Sequence, residues 1–186
     1  MADAPEPTLV QKVSLAHQAL KDAGIKHAFG GALALAYYGE PRVTIDIDLN
    51  VFVGVDQIEM VLAAFAPLGA DEKVDRASAE RDEQVRIWWG RNPVDLFFSY
   101  DPFHDAMEEA ARWVTFDEGK IPILSPEHLI VCKVVFDRPK DWVDIEQMLL
   151  GEAILDESEI SGWLKRILVA DDSRLTRMIE LWKRVR

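Results

Sequence analysis

The sequence predicts an α+β protein: a small mixed β-sheet core with flanking helices and a helical C-terminal part. Three observations carry this. Arg42–Val53 alternates apolar and polar residues with the two-residue period of a strand. Gln84–Trp89 and Val94–Phe98 are apolar runs on either side of Gly-Arg-Asn-Pro, the pattern of a β-hairpin. After Ser125-Pro126-Glu127 the spacing turns helical and stays so to the end, so strands gather before residue 125 and helices after it.

The elements follow in order. Residues 8–23 set Val13, Ala16 and Leu20 on one helical face, and Gly24 stops that helix. Ile25–Phe29 reads as a short strand, broken by Gly30-Gly31; Ala32–Tyr38 is helical and closed by Gly39. Val55–Pro67 has helical spacing, and the polar stretch 69–82 reads as a loop. Pro102–Trp113 is expected to be a helix and Ile121–Leu124 a strand. Ser125 is suited to cap the next helix, with Pro126 in its first turn and Glu127 near its positive end. Breaks are expected near Arg138-Pro139, Gly151 and Asp171-Asp172, and the last helix places Leu175, Met178, Ile179 and Trp182 on one stripe. Residues 1–120 are expected to form the α/β core and 121–186 a helical part packed on it.

The 186 residues are 49% apolar, enough for a core without disulfides or structural metals. The single cysteine, Cys132, excludes an internal disulfide or a cysteine-based zinc site; on its apolar helix it reads as packed and inert. No apolar run reaches the length of a membrane span, and the acidic, proline-bearing opening residues do not read as a secretory signal; a cytoplasmic protein without a membrane partner is expected. The net charge of −12 argues against strong unaided binding to nucleic acid, although Arg174, Arg177, Lys183, Arg184 and Arg186 form a local basic stretch. His17, His27, His104 and His128 have no metal-ligand spacing and read as ordinary surface or half-buried residues. Trp88 and Trp89 are adjacent and point to opposite faces of the hairpin.

Asp46 and Asp48 are two apart, so on a strand their carboxylates share a face. Two such carboxylates repel each other unless a cation sits between them, and a hard divalent ion such as magnesium takes oxygen ligands. A pair like this also reads as the polar outer face of a strand. Asp95 interrupts a second apolar run, and three carboxylates on neighbouring strands suit two metals that activate an attacking oxygen and stabilise a leaving one. Gly30-Gly31 reads either as a tight turn or as bare backbone amides suited to phosphate. Lys133, the lone charge in Leu129–Phe136, reads either as a functional group or as a lysine reaching for solvent.

Together these pieces resemble the DNA polymerase β-type nucleotidyltransferase superfamily, and within it the branch of AbiEii-type abortive-infection toxins. The resemblance rests on Gly30-Gly31 leading a helix, Arg42-x-Thr44-x-Asp46-x-Asp48, Asp95 within an apolar strand, and Lys133 followed by Arg138-Pro-Lys140-Asp141-x-x-Asp144. Many members carry Gly-Ser where this chain has Gly30-Gly31. The resemblance implies transfer of a nucleoside monophosphate from an NTP to an acceptor. Asp46, Asp48 and Asp95 would hold two Mg2+ ions, and Asp95 would also help to activate the acceptor. Gly30 and Gly31 would cradle the triphosphate, with Arg42 and Thr44 beside the acidic strand. Lys133 would meet the phosphates with Arg138 or Lys140 nearby, and Asp141 and Asp144 would orient Lys133 or the acceptor. It implies as acceptor a tRNA or protein, with a cognate antitoxin as partner. The charge of −12 points instead to a small or cationic acceptor of the antibiotic type; a nucleotide-binding module without turnover, and a structural dimer with the Trp88–Trp89 hairpin as its interface, are the other readings.

Overall fold

The computed structural model describes residues 6–71 and 73–185, and the opening Met1–Pro5 lie outside the described residues. Helix α1 (Leu9–Asp22) starts at a capping box: Thr8 Oγ1 accepts the Gln11 N–H and the Gln11 side chain accepts the Thr8 N–H. It buries Val13, Ala16 and Leu20, the face its spacing marks out. Strand β1 (His27–Phe29) runs into the short helix α2 (Gly31–Leu35). Strand β2 (Ile47–Val51) and helix α3 (Ile58–Phe65) follow, the latter flanked by 3-10 turns at Val55–Gln57 and Ala66–Leu68. Then come α4 (Arg76–Asp82), the hairpin β3 (Gln84–Trp89) and β4 (Asn92–Phe98), α5 (Pro102–Glu109), and a second hairpin, β5 (Arg112–Phe116) and β6 (Gly119–Ile123). Helices α6 (Pro126–Phe136), α7 (Pro139–Leu150), α8 (Glu157–Ile167) and α9 (Ser173–Val185) complete the chain.

Among the described residues, six strands form one mixed sheet in the order β3-β4-β2-β1-β6-β5. β2 is central; it runs parallel to β4 and antiparallel to β1. The core lies where this sheet meets the helices, around Phe29, Leu49, Phe65, Leu96, Phe98 and Ile130. Among the described residues, no helix is long and apolar enough to cross a membrane.

Four local expectations change. The strand predicted from Arg42 begins only at Ile47, leaving residues 42–46 irregular and Val43 95% exposed. The stretch 69–82 contains α4, whose Asp75 cap accepts the Ala77 N–H; with Ala79 as its one buried residue, it shows no apolar periodicity to read. The helix predicted to Trp113 ends at Glu109, and Arg112–Phe116 is instead strand β5, which is rich in β-branched and aromatic residues and paired to β6. Three of the four histidines, His27, His104 and His128, are buried. In the basic C-terminal stretch Arg174 pairs with Asp172 and Arg184 with Glu146, and Arg186 lies outside the described residues. The tryptophans divide as expected, with Trp89 buried and Trp88 exposed. Cys132 packs against Met107, and burial pushes its thiol up to about 12.

Candidate active site

The site is built where β1, β2 and β4 deliver their ends to one side of the sheet. β1 ends at Phe29, and Gly30 returns a backbone hydrogen bond to the Asp48 carbonyl at 2.9 Å. Gly31 has φ +53°, and a Cβ there would lie 1.8 Å from Asp48 Oδ2. The carboxylate therefore occupies the space a side chain at position 31 would need. A side chain at position 31 would have to displace this carboxylate and adopt the left-handed φ, so glycine suits the position. Gly31→Ala is expected to lower stability by about 2 kcal/mol or more, combining left-handed strain with the clash. Urea unfolding checks this; a wild-type midpoint would show that Asp48 is free to turn away.

Asp48 stands directly opposite Asp95 in the parallel β2–β4 pairing. Burial, then the charges of Asp95 and Asp46, push the Asp48 carboxyl up to about 6. Asp95 is buried on β4 and both its oxygens are taken by Arg86 of β3, at 2.7 Å each. Asp46 is half-buried in the irregular segment before β2, where its N–H is held by Thr44 Oγ1 at 3.1 Å. Among the described residues no three His, Cys, Asp or Glu side chains form a ready metal cluster. With Arg86 on Asp95, the third carboxylate is already neutralised. The donor set nonetheless fits a hard divalent cation: all three side chains offer oxygen, and Asp48 is a half-buried acid beside two like charges.

A second group of charges lies on α6 and α7. Lys133 is 3% exposed, so it does not reach for solvent; its Nζ donates to Asp144 at 2.6 Å and lies 3.8 Å from Asp141. Arg138 grips Asp141 through both arms of its guanidinium, at 2.6 and 3.1 Å. Arg42 Nε sits 3.4 Å from Asp144 and, although buried, has no hydrogen-bond partner. Three cations thus share two carboxylates, leaving net positive charge where a phosphate could sit. Lys140 is exposed on the first turn of α7. A cleft of about 190 Å³ joins Gly30, Gly31, Asp48, Lys133 and Arg138, with Phe97 and Phe136 in edge contact on its wall.

The structure thus draws Gly30, Gly31, Asp48, Lys133 and Arg138 to one cleft, with Asp46 and Asp95 beside Asp48 and Arg42, Asp141 and Asp144 around Lys133. Sequence reading missed Arg86 and the buried Asn50, whose Nδ2 is 3.1 Å from a Cβ built on Gly30. Arg86 had a signal. A two-residue turn at Gly90-Arg91 fixes the hairpin register and sets Arg86 opposite Asp95.

The fold is that of solved nucleotidyltransferases. ANT(2″)-Ia in complex with adenylyl-2″-tobramycin is 16% identical, with a TM-score of 0.56 over 76% of this chain and 88% of that one. An antigenic nucleotidyltransferase-like protein from Paracoccidioides brasiliensis is 19% identical, with a TM-score of 0.59 over 95% of this chain and 88% of that one. The lincosamide antibiotic adenylyltransferase LnuA, with lincomycin bound, is 10% identical, with a TM-score of 0.53 over 74% of this chain and 94% of that one. No protein-family model and no curated protein sequence matches the chain.

Proposed function

We propose that this chain is a magnesium-dependent nucleotidyltransferase that moves a nucleoside monophosphate from an NTP to an acceptor and releases pyrophosphate. The observation that carries the reading is Asp48. It is a half-buried carboxylate pressed between a side-chain-free glycine turn and two further acids, at the head of a cleft that also holds Lys133. Asp46, Asp48 and Asp95 would hold the metal, which supplies charge neutralisation for the phosphates and the departing pyrophosphate. Gly30 and Gly31 allow the triphosphate close to the backbone. Lys133, with Arg138 and Arg42, offsets negative charge on the phosphates, and Asp141 and Asp144 hold these cations in place. Asp95, once released by Arg86, would accept a proton from the attacking hydroxyl or amine.

The acceptor has two readings. The AbiEii resemblance favours a tRNA or protein acceptor, with a cognate antitoxin as partner. The fold shared with ANT(2″)-Ia and LnuA, together with a net charge of −12, favours a small cationic acceptor. A cytoplasmic location fits this reading, because NTP and either acceptor class meet there.

The test is transfer of α-phosphate label from each of the four NTPs to total tRNA, to a protein extract, and to aminoglycosides and lincosamides. Magnesium-dependent transfer to one class, abolished by EDTA, is expected. No transfer and no nucleotide binding with any combination defeats the reading.

A further inference from the structure

Asp46 precedes the strand that would normally fix it, so something else must hold its segment. The β2–β4 ladder stops at the pair Ile47↔Val94. Backbone N–H groups along a strand point alternately to its two neighbours. The Phe98 N–H goes to Glu83 O, on the β3 side of β4, so the nitrogens of residues 97, 95 and 93 face β2. Continuing the register by one step sets the nitrogen of residue 93 against the carbonyl of Ile45. That residue is Pro93, which has no N–H to give. The ladder ends there for want of a donor.

The missing bond is supplied from a side chain. Asn92 Nδ2 donates to the Ile45 carbonyl at 2.8 Å. Its other end is fixed: Asn92 Oδ1 accepts from Lys12 Nζ at 2.8 Å. Lys12 is fully buried, and its ammonium also donates to Trp89 O at 2.6 Å and to Glu6 at 2.5 Å. All three of its protons are used, so the hairpin turn is bound to α1 and Asn92 is held in one orientation. Asp46 is the next residue along from the carbonyl that Asn92 grips.

We propose that Asn92, pinned by Lys12, is a positioning residue for Asp46: it replaces the ladder bond that Pro93 cannot make and so sets where that carboxylate meets a divalent cation. The metal part of this inference rests on the nucleotidyl-transfer reading of the site. Lys12 and Asn92 do not touch substrate; they act through the backbone of residues 45 and 46.

The test uses Asn92→Asp, which keeps an acceptor for Lys12 and loses the donor to Ile45. Two quantities are measured: amide hydrogen exchange of residues 43–47 in the metal-free protein, and Mn2+ affinity with each of the four NTPs by electron paramagnetic resonance. Exchange is expected to rise at least about tenfold and Mn2+ affinity to fall about tenfold, the effect typical of losing a group that orients a metal ligand. Adding Pro93→Ala puts an N–H against the Ile45 carbonyl, so the double variant Asn92→Asp/Pro93→Ala is expected to recover both. A purely structural role predicts no such rescue, because removing a buried proline adds a second defect. Unchanged exchange in Asn92→Asp overturns the inference, as does raised exchange with unchanged Mn2+ affinity. If the wild type binds no Mn2+ with any nucleotide, the nucleotidyl-transfer reading falls and takes the metal part with it. That outcome differs from a wild type that binds while the variant binds equally well, which removes the positioning role alone.

Discussion

Asp48→Asn is expected to make the metal-free protein more stable while slowing nucleotidyl transfer by about 10³-fold or more, the scale of losing one essential charge-stabilising group. The carboxyl is pushed up to about 6 from 3.8, first by burial and then by Asp95 and Asp46. In the unfolded chain it loses its proton near the lower value. Between these pH values the folded state holds more protons than the unfolded state, so stability falls as pH rises from about 4 to about 6 and is flat above. The penalty above pH 6 is about 2–3 kcal/mol at one pKa unit per 1.36 kcal/mol. Asparagine fills the same space without the charge. Urea unfolding of wild type and variant from pH 4 to 8 is expected to show a gap that opens across that window, which cancels the titration of every other group. A variant less stable at pH 7.5 would contradict the electrostatics, and one that still transfers label would contradict the role given to Asp48.

The second large effect is expected at the Lys133–Asp144 pair, where both partners are buried and 2.6 Å apart. Asp144→Ala leaves the Lys133 ammonium enclosed with only Asp141, at 3.8 Å, and deprives Arg42 of its carboxylate. Removing one member of a buried ion pair costs about 3–5 kcal/mol. Replacing both with apolar residues of similar volume removes the uncompensated charge, so Lys133→Met/Asp144→Leu is expected to recover most of that stability. Nucleotide binding is expected to stay lost in the double variant, because the cation proposed to meet the phosphates is gone. Calorimetric titration with NTP on the refolding-competent double variant separates the two roles. Wild-type affinity there would reduce Lys133 to a structural residue.

Local chemistry made most of the fold legible. Gly24 and Ser125 announced helix boundaries, and the Gly-Arg-Asn-Pro turn announced the β3–β4 hairpin. β5 was hidden because Arg112–Phe116 follows a helix without a break residue, and only pairing with β6 decides its state. α4 was hidden because it buries little. The candidate site was legible as residue types in order, but not as a network. Asp95 could be found as an acid in an apolar run, yet its capture by Arg86 depends on hairpin register. Lys133 stayed open between a functional group and a lysine reaching for solvent, because the carboxylates that allow its burial come from the next helix. Asp46 was placed on a strand because alternation continues through Val43 and Ile45; the proline that ends the ladder lies 47 residues on, in a different strand.

The internal matching of the site's cations also governs how a nucleotide would arrive. Lys133 and Arg138 are held by carboxylates, and Arg86 by Asp95, so at a distance their fields largely cancel. What an approaching polyanion meets beyond a Debye length is the excess of 33 acidic over 21 basic residues. A bare triphosphate is therefore repelled during diffusion and attracted only at contact. A charge-reduced magnesium complex faces a lower barrier. If the chain binds a nucleotide as proposed, added salt is expected to speed its capture by screening that repulsion, the reverse of what a basic nucleotide-binding surface would show.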